Sequence, residues 1–304
     1  MSSSYTYSAY GLTLRLPFPC PPLTPIDFSE TPDVTVTYGS VPKKLDRFEA
    51  TNDNFKLGCR WQTSPGRFLL LGGLSSGRFL VEDGKEVTVE LNSQASVELV
   101  VYHFLHPVLA AILRQRGLLI LHGSTCVTPQ GAVVIVGLSG MGKSTTIAAL
   151  LDRGCPMLAD DVTALHLRSN DSCVEVLPGV PQLSLLRDAA QGLGLNVEVL
   201  QSSSLRRGKA VMFFSNNLKV KPVPLRTIYL LKYFSGDTLQ IVSLTGAVKF
   251  AALQDSIYGP LLPQEHPNVF SLISIITKQV KLFCIKRPEG KWTVKEIVEV
   301  ILDG

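Results

Sequence analysis

The stretch VVIVGLSGMGKSTTIAALLDRGCPMLADD, residues 133–161, constrains the fold of this chain more than any other segment. It opens with an apolar run, continues through a glycine-rich loop that ends in lysine and serine, and closes with two adjacent aspartates. The loop, from Gly137 to Ser144, fits G-x-x-x-x-G-K-[ST] at every fixed position. A strand, the loop, a helix stopped by Gly154 and a second buried strand together predict an α/β unit built around a phosphate-binding loop, or P-loop.

The loop predicts a binding site for ATP and Mg²⁺. Backbone N–H groups of such a loop converge on the β-phosphate, and the following helix adds the positive end of its dipole. We expect Lys143 to neutralise the β- and γ-phosphates and Ser144 to hold the magnesium ion through its hydroxyl. The residues expected to contact the nucleotide are Gly137, Ser139, Gly140, Met141, Gly142, Lys143, Ser144 and Thr145. The alternative is a surface glycine turn that matches the pattern by chance.

Asp160 and Asp161 follow the second strand of this stretch. Side chains of neighbouring strand residues diverge, so that one acid can face the metal and the other the acceptor. Phosphoryl transfer to a hydroxyl needs both, because the metal must be held while a carboxylate accepts the proton. The alternative is one metal-side aspartate and one turn or helix cap. His122, beside Gly123, fits either a packed core histidine or a group that orients the aspartate pair.

The rest of the chain predicts two domains. Residues 1–103 alternate short β-rich runs with turns, including an EDGKE hairpin connection, and predict a smaller β-rich domain. Residues 104–304 begin with a predicted helix at 106–117 and continue as the α/β catalytic domain. Within that domain, QLSLLRDAAQGLG is predicted to be helical, and the basic segment LRRGKA at 205–210 is a solvated loop or a contact for phosphate or peptide.

Composition narrows the class of protein. The net charge of +4 is too small to predict a nucleic-acid binder. The six cysteines have no metal-site spacing, and we expect them to be reduced. The apolar run PVLAAILRQRGLLIL carries Arg114 and Arg116, so we expect no membrane span. With no secretory signal pattern, the expected compartment is the cytoplasm.

The segment ILHGSTCVTPQGAVVIVGLSGMGKSTTIAALLDRGCPMLADDVTAL resembles the catalytic domain of HPr kinase. It shares a His-Gly after a strand, the P-loop, a helix ending in Arg-Gly and an ADD-V strand. The chain is more similar to the HPr kinase-like serine kinases found with lasso-peptide biosynthesis genes, through YSAYGLTLRLPFP, GRFLVEDGKEVTVE and PLRTIYLLKYF. The resemblance implies an HPr kinase-like P-loop catalytic domain preceded by a smaller β-rich domain.

The resemblance also implies roles for single residues. It makes Asp160 the general base for the acceptor serine, Asp161 its partner on the metal side together with Ser144, and His122 a support for Asp160. HPr kinases have a further glycine-rich signature with an acidic residue that serves the reverse dephosphorylation. The corresponding region here, CVEVLPGVPQLSL, departs from it, with Glu175 as the candidate replacement for the acid, so the resemblance does not extend to the reverse reaction or to HPr as the substrate. The basic residues Arg206, Arg207 and Lys209 then become candidates for contact with phosphate or a peptide carboxylate.

Three functions fit these residues. The first is an ATP- and Mg²⁺-dependent kinase for a serine hydroxyl on a precursor peptide or small protein, with no nucleic-acid or membrane partner. The second is a small-molecule kinase for a sugar, polyol or amino acid, which differs only in the acceptor pocket. The third is a nucleotide-binding regulatory module. HPr kinases assemble into hexamers, so a homo-oligomer is compatible with the resemblance.

Overall fold

The computed structural model describes most of the chain, and it divides into two compact units. The first unit contains Met1–Ile120 and Tyr258–Val269, and the second contains Leu121–Ile257 and Phe270–Gly304. The described residues are 4–27, 31–48, 50–52, 59–168, 173–195, 201–202, 209–213, 221–259 and 266–304.

The first unit is a β-sheet with a helical stretch. Its strands are β1 (Tyr5–Ala9), β2 (Leu12–Leu16), β3 (Thr24–Pro25), β4 (Val34–Tyr38), β5 (Ala50–Asn52), β6 (Arg60–Ser64), β7 (Arg67–Leu71), β8 (Gly77–Glu82) and β9 (Glu86–Leu91). They form one sheet in the order β3-β1-β2-β4-β9-β8-β7-β6-β5. Tyr10 and Gly11, both with positive φ, form the two-residue turn between β1 and β2. The predicted EDGKE connection joins β8 and β9, which confirms the β-rich character of this region.

The helical stretch consists of α1 (Val97–His103), a π-helical turn (Phe104–Val108) and α2 (Leu109–Gln115). It begins where the Ser96 side chain accepts a hydrogen bond from the backbone N–H of Leu99. Pro107 lies inside the π turn, which accommodates a residue that lacks a backbone N–H. By length and composition, Val97–Gln115 is apolar enough to cross a membrane, but most of it is buried inside the structure, as in the core helix of a soluble protein.

Contacts at the carboxyl end of this stretch place it in the first unit. Gly84 at the β8–β9 turn donates its N–H to the Gln115 side chain at 2.6 Å. Arg116 donates to the Gly84 carbonyl at 3.0 Å. The compact unit therefore extends to Ile120, beyond the predicted boundary at residues 103 and 104, because the helix predicted to open the second domain packs on the sheet of the first.

The second unit contains the remaining elements, although the first residues of β10 and of α6 belong to the first unit. Its strands are β10 (Leu119–Thr128), β11 (Gly131–Val136), β12 (Met157–Ala159), β13 (Val162–Leu167), β14 (Val174–Val176), β15 (Gln182–Leu186), β16 (Gln201–Ser202), β17 (Lys209–Phe213), β18 (Val223–Phe234), β19 (Gln240–Ser243) and β20 (Lys281–Pro288). Its helices are α3 (Lys143–Asp152), α4 (Arg187–Gly192), α5 (Gly246–Asp255), α6 (His266–Gln279) and α7 (Val294–Asp303). β15, β17 and β16 form a small separate sheet.

The main sheet of the second unit brings the ends of several strands to one edge. β11 pairs with β10 antiparallel and with β18 parallel, and β18 pairs with β20 parallel. β12 is antiparallel to β10 and therefore runs in the direction of β11. The carboxyl ends of β11, β12, β18 and β20 thus lie at the same edge, which is where ligands bind in open α/β sheets.

Helices α3 and α7 cover one face of this sheet. Apolar residues at helical spacing on α7, including Val294, Ile297 and Ile301, pack with Ile147 of α3 in a buried cluster. The cluster also contains Ile135 and other strand residues. This packing holds the first turn of α3, and with it the glycine-rich loop, against the edge of the sheet.

Candidate active site

The glycine-rich loop joins β11 to α3, as the sequence predicts. Gly142 has a φ of +96° and is the residue before the first helical position, so a side chain there would be strained. Gly137 has a φ of +145°, and a Cβ on it would lie 2.7 Å from the Leu231 carbonyl oxygen. Both glycines are therefore required by the backbone and by its close approach to β18.

Lys143 is buried, and its ammonium group is held by the loop itself. Nζ donates to the carbonyl oxygens of Gly137 at 2.7 Å and Leu138 at 3.2 Å. Since a buried ammonium is costly unless it is hydrogen-bonded, these carbonyls keep the positive charge beside the loop. Of the other predicted nucleotide contacts, Ser139 and Gly140 are exposed, whereas Met141, Ser144 and Thr145 are half-buried.

Asp160, the first residue after β12, accepts hydrogen bonds from residues of several elements. Its carboxylate accepts from the Ser124 hydroxyl of β10 at 2.5 Å and from the Ser144 hydroxyl of α3 at 3.2 Å. It also accepts from the backbone N–H of Ser184 in β15 at 3.1 Å. The side chain is 9% exposed. These donors fix the carboxylate beside the first turn of α3.

Asp161 has a different environment. It is half-buried and adopts a φ of +65°, which is uncommon for a residue other than glycine. The N–H of Val162 donates to the Asp160 carbonyl at 2.8 Å, which closes a tight three-residue turn around Asp161. Strained backbone of this kind is concentrated at functional sites.

In the structure, the loop serine is hydrogen-bonded to a different aspartate from the one that the resemblance implied. The resemblance placed Asp161 with Ser144 on the metal side and Asp160 at the acceptor, but the Ser144 hydroxyl bonds to Asp160. The reason is that β12 ends at Ala159, so Asp160 still follows the strand toward α3, and the turn changes the direction of the chain only at Asp161.

His122 lies inside β10 and not at a turn. The backbone N–H of His122 donates to the Ser256 carbonyl at 2.8 Å, and its side chain is half-buried. Because strand side chains alternate, His122 and Ser124 share one face of β10. Ser124, which the sequence analysis did not select, donates a hydrogen bond to Asp160.

Two further residues reach the loop from the neighbouring strands. Arg287 near the end of β20 donates from Nη1 to the Met141 carbonyl at 3.0 Å. Tyr233 near the end of β18 donates its hydroxyl hydrogen to the Gly140 carbonyl at 3.4 Å. Neither residue could be selected from the sequence, because both are far from the loop along the chain and fit ordinary strand patterns.

Four further candidate residues from the sequence analysis have other outcomes. Glu175 is buried and forms an ion pair with Arg168 across the β13–β14 hairpin, with Oε1 and Nη2 2.9 Å apart. Arg206 and Arg207 lie outside the described residues, and Lys209 is described only by its place at the start of β17. Their predicted contact with phosphate or peptide stays a prediction.

The donor atoms near the loop fit a nucleotide with a hard cation. The Ser144 hydroxyl and the Asp160 carboxylate are oxygen ligands of the kind that Mg²⁺ prefers, and Mg²⁺ commonly takes its other ligands from phosphates and water. Among the described residues, no group of three or more histidine, cysteine, aspartate or glutamate side chains is placed to hold a metal ion. The Ser144 and Asp160 oxygens would thus supply protein ligands to a cation bound with a nucleotide.

Comparison with known proteins adds little to this geometry. No family model matches the chain, and no curated protein matches it. Among solved structures, the chain is similar to the Hpr(Ser) kinase/phosphatase from Coxiella burnetii, with a TM-score of 0.32 and 15% sequence identity. The similarity covers 60% of this chain and 88% of that chain. A TM-score this low assigns neither a fold nor an activity, and the chemistry of the site follows from its own residues.

Proposed function

We propose that the second unit is an ATP- and Mg²⁺-dependent kinase that transfers the γ-phosphate to a serine hydroxyl of a precursor peptide or small protein. The observation that supports it best is the hydrogen bond between Ser144 of the glycine-rich loop and the buried Asp160. A second carboxylate, that of Asp161, follows on a strained turn. A loop, a metal-side acid and a second acid are the groups that transfer to a hydroxyl requires.

In this proposal the loop binds the phosphates of ATP. The backbone N–H groups at the start of α3 point toward the β-phosphate, where the helix dipole favours negative charge. Lys143 exchanges hydrogen bonds to the Gly137 and Leu138 carbonyls for bonds to the β- and γ-phosphate oxygens. The charge is already held beside the loop, so little reorganisation is needed when the nucleotide binds.

Ser144 and Asp160 would hold the magnesium ion. When bound, Mg²⁺ supplies positive charge that neutralises the phosphate oxygens of ATP. Ser124 and the Ser184 N–H orient the Asp160 carboxylate by hydrogen bonds to its oxygens. An ionised carboxylate has about four acceptor positions, so one that already accepts from several donors is better suited to hold a cation than to take a proton.

Asp161 is then the base for the acceptor. Its carboxylate accepts the proton of the serine hydroxyl while the serine oxygen forms a bond to the γ-phosphorus. The bond from the γ-phosphorus to the β,γ-bridging oxygen breaks, and ADP leaves. General-base catalysis of this kind contributes about 10²- to 10⁴-fold. His122, on the same face of β10 as Ser124, is proposed to help orient the aspartate pair.

The nature of the acceptor rests on the sequence resemblance. A role in lasso-peptide or other natural-product maturation, a cytoplasmic location and a homo-oligomer are parts of the same proposal. So are a peptide or small-protein partner and the absence of nucleic-acid and membrane partners.

Incubation with γ-labelled ATP, Mg²⁺ and a candidate precursor peptide tests the proposal, with intact-mass analysis of the peptide. We expect one phosphate on the peptide, none on a matched peptide with alanine in place of the serine, and none with the Lys143→Ala variant. Release of all label as inorganic phosphate, or its transfer to a small hydroxyl compound in place of the peptide, would contradict the serine-kinase proposal.

A further inference from the structure

Arg287 and Tyr233 form a pair beside the glycine-rich loop. They are register partners on the parallel strands β20 and β18. The guanidinium carbon lies 5.1 Å from the centroid of the tyrosine ring, which is the distance of a cation–π contact. The ring therefore supports the guanidinium at the edge of the sheet where the loop begins.

This pair donates hydrogen bonds to two successive carbonyls of the loop. Arg287 Nη1 lies 3.0 Å from the Met141 oxygen, and the Tyr233 hydroxyl lies 3.4 Å from the Gly140 oxygen. A Cβ on Gly142 would collide with Arg287 Nη1. The guanidinium thus occupies the space that a side chain at position 142 would need, so the arginine lies directly against the backbone of the loop.

Holding the Met141 carbonyl also fixes the amide that follows it. In a planar trans peptide the C=O and the next N–H point in opposite directions. If Arg287 holds the Met141 carbonyl on one side of the loop, the Gly142 N–H must point to the other side. The Met141 N–H, opposite the Gly140 carbonyl, donates to the Leu138 carbonyl at 3.2 Å within the loop. The Gly142 N–H belongs to the loop segment that is expected to bind phosphate.

The burial of Arg287 argues that it does more than fill space. The residue is 6% exposed. Its Nε is buried and has no hydrogen-bond partner among the described residues. An unsatisfied buried donor costs free energy, whereas an apolar side chain would fill the same space without that cost. The Nη2 of Arg287 donates to the Lys291 carbonyl at 3.5 Å in the β20–α7 connection, while its Nη1 and its planar face contact the Met141 carbonyl and the Tyr233 ring. The arginine therefore serves the loop as well as that connection.

We propose that Arg287 is a positioning residue that, supported by the Tyr233 ring, orients the amide of Gly142 for the nucleotide phosphates. The inference rests on the proposed nucleotide site, but it concerns nucleotide affinity and is independent of the acceptor. It predicts that the residue acts on ADP and ATP alike, because both carry the β-phosphate that this amide contacts.

Calorimetric titration with ADP and with ATP, each with Mg²⁺, tests this in the wild type and in Arg287→Ala and Arg287→Lys. We expect Arg287→Ala to weaken both nucleotides equally, by about tenfold or more, since hydrogen bonds that involve a charged group are among the stronger ones. Lysine should restore part of the affinity, because it donates a hydrogen bond but lacks the planar fork. The control Arg153→Ala, which removes an exposed ion pair with Glu299, should leave both affinities unchanged.

Steady-state kinetics and thermal melting separate positioning from a purely structural role. We expect the KM for ATP to rise in Arg287→Ala while kcat at saturating ATP stays within about twofold. If both variants melt at a lower temperature and bind nucleotides as the wild type does, Arg287 is structural and the proposal is wrong. A fall in kcat with unchanged KM would also overturn it. Absence of nucleotide binding in the wild type itself would refute the nucleotide site, and the positioning role with it.

Discussion

Each of the two units contains a serine hydroxyl within hydrogen-bonding distance of a titratable side chain. In the first unit, the Ser76 hydroxyl lies 2.7 Å from Nδ1 of His103, and the two residues are 0% and 1% exposed. In the second unit, the Ser124 and Ser144 hydroxyls bond to Asp160, next to a loop whose Leu138 is 77% exposed. The chemical groups are similar, but those of the second unit lie beside an exposed loop.

The difference lies in what surrounds each pair. His103 packs edge-on against Phe79, and its Nε2 is buried without a hydrogen-bond partner in the described part of the chain. Burial lowers the pKa of His103 to about 4, so the ring stays neutral at neutral pH. Around Asp160, polar groups from several elements converge beside positive charge and backbone amides. A buried pair of this kind stabilises a fold, whereas convergent polar groups beside an exposed loop can bind a ligand.

The largest expected effect that separates the two regions comes from Asp161→Asn. Because the variant removes the proposed base and keeps the size of the side chain, phosphoryl transfer should fall by about 100-fold or more. The affinity for ATP with Mg²⁺ should not change. The matched control is Asp152→Asn at the exposed end of α3, which should transfer phosphate like the wild type. Transfer by Asp161→Asn at the wild-type rate would show that Asp161 is not the base.

The pH dependence of the free energy of unfolding should report the protonation of His103 in the buried Ser76–His103 pair. The unfolded chain binds a proton at His103 below pH 6.5, the ordinary pKa, but the folded protein does so only near pH 4. The contribution of His103 is therefore complete above pH 6.5 and is lost as the pH falls toward 4. Between pH 7.5 and pH 5 the loss should be about 2 kcal/mol in the free energy of unfolding.

Urea unfolding of the wild type and of His103→Asn measures this loss. Asparagine can keep a hydrogen bond to Ser76 but does not titrate, so the variant should show a smaller decrease in stability over the same pH range. Equal decreases in the two proteins would mean that His103 does not govern acid sensitivity in this range.

The same substitution in the two regions should give different smaller effects. Ser76→Ala leaves Nδ1 of His103 unpaired and should lower the free energy of unfolding by about 1 to 2 kcal/mol, with no change in ATP affinity. Ser124→Ala removes a donor to Asp160 and should also weaken ATP binding in the presence of Mg²⁺, by several-fold. A change of ATP affinity in Ser76→Ala, or an unchanged ATP affinity in Ser124→Ala, would contradict the assignment of Ser76 to stability and Ser124 to the nucleotide site.

The loop was predictable because its pattern is local. Glycines, lysine and serine at fixed spacing between an apolar strand and a helix define the β11–α3 connection without distant contacts. Helix α7 was equally predictable, since Ile297 and Ile301 repeat at helical spacing. Local rules of backbone and periodicity were sufficient for both.

The remainder depends on contacts that a linear pattern does not show. The predicted helix in QLSLLRDAAQGLG is wrong in its first part, because Gln182–Leu186 is strand β15 and α4 begins at Arg187. The extended backbone there lets the Ser184 N–H reach Asp160. Arg287 lies 146 residues from Met141 along the chain, so its contact required the sheet. The hydrogen bond of Ser144 to Asp160, and not to Asp161, depends on a turn at Asp161 that strand alternation does not predict.

Magnesium dependence of ATP binding tests the central assignment most directly. ATP affinity would be measured by calorimetry with Mg²⁺ and with EDTA for the wild type, Asp160→Asn and Asp161→Asn. We predict that Mg²⁺ strengthens ATP binding by the wild type and by Asp161→Asn, and that this gain is lost in Asp160→Asn because Asp160 holds the ion with Ser144. Loss of the gain in Asp161→Asn with its retention in Asp160→Asn, or no ATP binding by the wild type, would contradict the account.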